Sequence, residues 1–134
     1  MDKRLNFVLI DDDEIFNFLS ERVLKISEIA NTVQIFSKAK EALTYFSDFK
    51  EEDKVIILLD IRMPEMDGFE FLEEFNKLNL LNIDVYMLTS SLDERDKEKA
   101  FTYPAVKGFF SKPLDKVIIA EIYKTYLNGV NQSN

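Results

Sequence analysis

The chain alternates between short, almost unbroken apolar runs and longer stretches in which apolar residues recur every three or four positions. The first pattern reads as a strand buried on both faces, the second as a helix that buries one stripe. The first strand is predicted over Leu5–Ile10, and the helix after it carries a stripe of Ile15, Leu19, Val23 and Ile26 that should face the core. A β-branched segment at 32–36 makes the second strand, and Ala39, Ala42, Leu43 and Phe46 mark the second helix. Val55–Leu59 is the third strand. It runs through a loop stopped by Pro64 and Gly68 into a helix with Phe71, Leu72, Phe75 and Leu78 on its inner face. VYML before Thr89 is the fourth strand and residues 107–110 the fifth. Ile118, Ile119, Ile122 and Tyr126 set a last helix against the sheet, and Gly129 with the polar tail at 131–134 is expected to end it. Strand and helix alternating in this way predict an α/β domain, a parallel sheet with right-handed crossovers and helices on both faces. The helix before the fifth strand stands apart. Residues 93–99 are charged throughout and no apolar residue appears until Ala100 and Phe101, so this is the helix expected to be most solvated and least firmly packed.

Four of the apolar runs end in reactive side chains. FVLI leads into Asp11, Asp12 and Asp13, VIILL into Asp60, VYML into Thr89 and Ser90, and GFFS into Lys112 and Pro113. Ligands of open parallel sheets bind beyond the carboxyl ends of the strands, so acids, hydroxyl and lysine should meet at one edge. A carboxylate leaving a buried strand, as Asp60 does, needs positive charge beside it, and clustered hard oxygens are what Mg²⁺ accepts while keeping several waters. Each residue also has a plainer role when taken alone. The acids read equally well as a cap for the first helix, Lys112 as a solvated surface charge, Thr89 and Ser90 as partners of local backbone, and Phe109 and Phe110 as core. Only the joint arrangement is specific.

Composition narrows the setting. A chain of 134 residues that is 46% hydrophobic builds one core without metal or disulfide staples. A net charge of -8 argues against a surface for nucleic acid or anionic membrane. No apolar stretch approaches the roughly 20 residues of a membrane span, and the N-terminal apolar run is too short for a signal peptide, so a cytoplasmic location is expected. There is no cysteine for thiol chemistry. There is no histidine either, so any phosphohistidine donor must be another protein.

The stretches FVLIDDDEIF, VIILLDIRMPEMDGFEFL, VYMLTSS and GFFSKPLD, in this order across nearly the whole chain, resemble the receiver domains of two-component response regulators, the CheY-like family. The resemblance implies a doubly wound, flavodoxin-like sheet of strand order 2-1-3-4-5 with five helices, a receiver domain over 1–128 and a polar tail at 129–134. It implies that Asp60 is the phosphoacceptor and that Asp11, Asp12, Asp60 and the backbone carbonyl of Arg62 hold Mg²⁺ or Mn²⁺, Asp12 directly and Asp11 mainly through water. Thr89 would hydrogen-bond the phosphoryl group, Lys112 would pair with it, Phe109 would be the switch aromatic, and the Lys112–Pro113 bond would be cis. A sensor histidine kinase or histidine phosphotransfer protein would be the donor. The domain would assist its own phosphorylation and dephosphorylation without being an enzyme. With the chain stopping after the fifth helix, the output would be a protein contact on the face of the fourth helix, fifth strand and fifth helix, or else a relay or phosphate sink. Two other classes make different demands. A haloacid-dehalogenase-like phosphatase would use Asp11 as nucleophile, but needs an acidic metal motif after the lysine, where only Asp115 and Glu121 follow. A flavodoxin-like electron carrier would set its cofactor phosphate against three acids. A receiver that has lost phosphorylation conflicts with the intact set of residues.

Overall fold

In a computed structural model that describes residues 4–50 and 53–132, strands and helices alternate from end to end. They are β1 (Leu5–Ile10), α1 (Glu14–Ser27), β2 (Ala30–Phe36), α2 (Ala39–Ser47), β3 (Val55–Leu59), α3 (Gly68–Asn76), β4 (Ile83–Thr89), α4 (Glu94–Ala100), β5 (Val106–Ser111) and α5 (Lys116–Gln132). All strand pairs are parallel and the order is β2-β1-β3-β4-β5. The doubly wound α/β class and the strand order therefore stand as expected.

Side chains that alternate along each strand divide the core in two. Leu5, Phe7 and Leu9 of β1, with Ile56, Leu58, Tyr86 and Leu88, meet Leu24 of α1 and Ile118, Ile119 and Ile122 of α5. Val8 and Ile10, with Val55, Ile57, Leu59, Val85 and Met87, meet α2, α3 and Ala100 of α4 on the other face. Every residue of β3 is buried. Each such Ile or Leu contributes roughly 1.5–3 kcal/mol relative to exposure, whereas an exposed ion pair contributes about 0.2–1 kcal/mol. Hence β3 is a rigid mount. In α4, where Ala100 is the one buried residue, little resists movement.

Two expectations are corrected. The stripe on α1 faces the core only at Val23, which packs against it: Ile15 is 74% exposed, Leu19 52% and Ile26 65%, while Asn17, Ser20 and Leu24 are buried. Its apolar residues fall on two sides, Phe16, Val23 and Leu24 inward and Ile15, Phe18, Leu19 and Ile26 outward, so periodicity alone did not single out the inner face, and polar anchoring helps to set it. Asp13 caps the helix by accepting from the Phe16 N–H (3.0 Å), and Asn17 Nδ2 turns inward to donate to the Asp11 carbonyl at 2.8 Å. The second correction concerns α5, which continues through Gly129 to Gln132. Nothing lies within 4 Å of a Cβ built on Gly129, and one exposed glycine costs a helix only about 1 kcal/mol. Of the expected tail, residues 133–134 lie outside the described residues. Among the described residues no helix is long and apolar enough to cross a membrane.

Candidate functional site

Backbone hydrogen bonds at the carboxyl edge of the sheet carry the reactive residues past the last paired positions. The Asp11 N–H donates to the Phe36 carbonyl (3.1 Å), the Asp60 N–H to the Ile10 carbonyl (3.0 Å) and the Lys112 N–H to the Thr89 carbonyl (2.9 Å). In register Ile10 lies beside Leu59, and Thr89 beside Ser111, so Asp11 and Asp60 leave neighbouring strands together and Lys112 follows Thr89. The loop after Asp60 is drawn in by the Gly68 N–H, which donates to the Ile61 carbonyl at 2.8 Å. A Cβ on Gly68 would run into the Asp60 carbonyl oxygen and lie 2.9 Å from Ile61 Cα. Glycine is therefore the residue that lets the first turn of α3, capped reciprocally by Asp67 and Glu70, approach the site.

The three consecutive acids do different work. Asp13 is the helix cap, and its N–H donates to Asp11 Oδ1 at 2.9 Å. Asp11 is buried, Asp12 exposed, and one carboxylate oxygen from each of Asp11, Asp12 and Asp60 lies within 4.8 Å of the others. Lys112 Nζ is 2.6 Å from Asp11 Oδ2 and 3.4 Å from Asp60 Oδ2, and it sits 4.2 Å from the centre of the Phe16 ring. The Lys112–Pro113 peptide is cis. Burial raises the Asp11 carboxyl above the ordinary aspartate range, and the hydrogen bonds from Lys112 and the Asp13 N–H only partly offset it. Burial also works against the Lys112 ammonium, but the hydrogen bond with Asp11 and the charges of Asp11 and Asp60 outweigh it and hold its pKa above the ordinary lysine value.

This donor set fits a hard divalent cation. It is all oxygen, and one lysine faces two buried carboxylates with a third acid beside them, so the cluster carries more negative charge than its own cation offsets. The Asp60 carboxylate is anchored on one side only: Oδ1 accepts from the Ile61 N–H at 2.8 Å, while Oδ2 has the longer Lys112 contact. Thr89 is fully buried and its Oγ1 accepts from the Ser91 N–H at 3.2 Å. Phe109 pairs in register with Met87 and is half-buried against the α2–α3–α4 face of the core.

The structure thus brings Asp11, Asp12, Asp60 and Lys112 together, with Thr89 on the neighbouring strand end; Phe109 lies farther down β5. Three residues that sequence reading did not single out complete the surroundings: Phe16 under the lysine, Asn17 under Asp11, and Asp96 on α4. Asp96 Oδ2 accepts from Ser91 Oγ at 2.6 Å and lies 3.7 Å from Arg62 Nη2. Asn17 carried a faint signal, a polar residue between the apolar pairs Ile15–Phe16 and Phe18–Leu19, whereas Asp96 was hidden in a run of charges.

The chain is similar in sequence and fold to known proteins. The family model described as the response regulator receiver domain matches residues 7–124. A hybrid signal transduction histidine kinase of Dictyostelium discoideum is 30% identical over 98% of the chain, which spans only 8% of that relative's length. A two-component response regulator of Arabidopsis thaliana is 28% identical, with 87% of the chain and 80% of the relative covered. A crystal structure of a two-component response regulator from Cytophaga hutchinsonii is 30% identical and superimposes with a TM-score of 0.85, covering 94% of this chain and 98% of the other.

Proposed function

The chain belongs to the response regulator receiver domain family, and on that premise we propose that it accepts, in the cytoplasm, a phosphoryl group on Asp60. The donor is the phosphohistidine of a sensor histidine kinase or histidine phosphotransfer protein, since the chain has no histidine of its own. The P–N bond of the donor breaks and a P–O bond to Asp60 Oδ2 forms, in an in-line displacement whose catalysis is mostly positioning and electrostatics. The observation that carries this reading is the contrast between the two buried carboxylates. Asp11 has one oxygen under the Asp13 N–H and the other 2.6 Å from the ammonium, whereas Asp60 Oδ2 is held only at 3.4 Å. That contrast favours Asp60 over Asp11 as nucleophile and so favours a receiver over a phosphatase.

Mg²⁺ would be held by Asp11, Asp12, Asp60 and the Arg62 carbonyl, and when bound it would supply positive charge to the phosphoryl oxygens. Lys112 supplies a second positive charge beside Asp60, its ammonium already resting over the Phe16 ring. The acyl phosphate adds about 1.5 to 2 negative charges. Thr89 would turn its hydroxyl proton toward them, and Phe109 would move into the space behind it, altering the face of α4, β5 and α5. Incubation with acetyl phosphate and Mg²⁺ tests the function: intact mass should rise by one phosphoryl group. Asp12 is exposed, so Asp12→Ala should fold normally yet bind Mg²⁺ about 100-fold more weakly or worse. Unchanged Mg²⁺ affinity in the folded variant, read by titration beside a thermal melt, would show that Asp12 is not a ligand.

The donor has a surface to meet. Ile15, Phe18 and Leu19 on α1 are 74%, 60% and 52% exposed and begin beside the exposed Asp12. Apolar side chains massed at the rim of a charged site suit a protein donor, which must place a histidine ring over Asp60. Ile15→Glu with Leu19→Glu should slow transfer from a phosphorylated donor protein at least tenfold and leave labelling by acetyl phosphate unchanged. Equal losses with both donors would mean the helix supports the site and does not dock the donor.

A further inference from the structure

The contacts of Asp96 tie the least anchored helix of the fold to both sides of the phosphoacceptor. From one side comes β4: Thr89 Oγ1 accepts from the Ser91 N–H at 3.2 Å, and Ser91 Oγ donates to Asp96 Oδ2 at 2.6 Å. From the other comes the loop after β3: Arg62, two residues beyond Asp60, brings its guanidinium to 3.7 Å from the same oxygen. The carboxylate is mostly sheltered, 20% exposed, although the guanidinium is 74% exposed. α4 also buries Ala100 and rests Lys99 4.5 Å over the Phe69 ring.

Resting on the phosphoacceptor reading of Asp60, we infer that Asp96 is a positioning residue through which α4 senses the charge state of that site. A phosphoryl group on Asp60 acts on Asp96 Oδ2 twice. Its negative charge competes for the Arg62 guanidinium, whose exposed pairing with Asp96 is weak and easily exchanged. Its pull on the Thr89 hydroxyl draws Oγ1 away from the Ser91 N–H, and with that N–H released the Ser91 hydroxyl loosens its hold on Asp96. Both ties to α4 weaken in one event, and a helix with a single buried residue then opens more often.

Amide hydrogen exchange across 94–101, with occupancy of Asp60 matched by intact mass, reads the coupling. In the unmutated protein phosphorylation should speed exchange there about tenfold. Asp96→Ala should be about tenfold faster before phosphorylation and gain less than about twofold on phosphorylation. Ser91→Ala, which keeps the Arg62 pair, should fall between the two and gives the same test if Asp96→Ala lowers global stability. A residue that merely supports the helix would shift both states equally, so a full phosphorylation response in both variants would overturn the inference while the receiver reading stood. Absence of any phosphoryl mass on the unmutated protein would overturn the receiver reading, and this inference with it.

Discussion

Replacing Lys112 with methionine should remove about 3 kcal/mol of stability and slow phosphorylation by acetyl phosphate about 100-fold. Methionine keeps an apolar stem against Phe16, so the loss reports the charge. Two carboxylates, 4% and 7% exposed, depend on this ammonium at 2.6 and 3.4 Å. Removing one partner of a buried ionic cluster leaves the others desolvated and uncompensated. The deficit should depend on pH in a definite direction. Burial already holds the Asp11 carboxyl above its ordinary range, so the folded protein keeps that proton to higher pH than the unfolded chain. Its contribution to stability therefore falls as pH rises from about 4 and levels off above the raised folded value. Without Lys112 the folded value rises further, and the fall extends over a wider window. In the unmutated protein the contribution of Lys112, whose folded pKa is raised, persists until pH climbs past the ordinary lysine value and is lost through the folded one. Chemical denaturation of both proteins without Mg²⁺ should show a gap that widens as pH rises above the ordinary aspartate range. A constant gap, or a narrowing one, would mean that Asp11 does not need the lysine's charge.

What could be read from the chain follows from how each part is determined. Leu5–Ile10, Val55–Leu59 and the strand before Thr89 are buried on both faces, so their composition alone identifies them. The edge strand was less legible: β2 begins at Ala30, before the predicted 32–36, because the small Ala30 is only partly buried and the polar Asn31 is exposed. Reactive residues at strand ends were legible as an arrangement, since a parallel sheet brings its carboxyl ends to one edge whatever the side chains do. The division of labour among Asp11, Asp12 and Asp13 was not. It depends on which of them caps α1, a matter settled by the Phe16 and Asn17 hydrogen bonds. The same bonds turned Ile15 and Leu19 outward, against the expected stripe. Asp96 was illegible for another reason. Its partners Ser91 and Arg62 come from different loops, and only the placement of α4 brings them to one oxygen.

Asp60→Asn should abolish phosphorylation and, without Mg²⁺, leave a more stable protein. Asparagine can still accept the Ile61 N–H, and Lys112 keeps Asp11 at 2.6 Å, so one cation then faces one buried carboxylate where it faced two. The lost attraction at 3.4 Å is offset by relief of repulsion from Asp11 and Asp12, whose oxygens lie within 4.8 Å. The desolvation of a carboxylate only 7% exposed decides the sign. The gain should be about 1 kcal/mol, or roughly 4 °C in Tm. Intact mass after incubation with acetyl phosphate and Mg²⁺, run side by side on the unmutated protein and Asp60→Asn, tests the central claim most directly. One phosphoryl group on the first and none on the second is the predicted result; an undiminished gain on Asp60→Asn would contradict it.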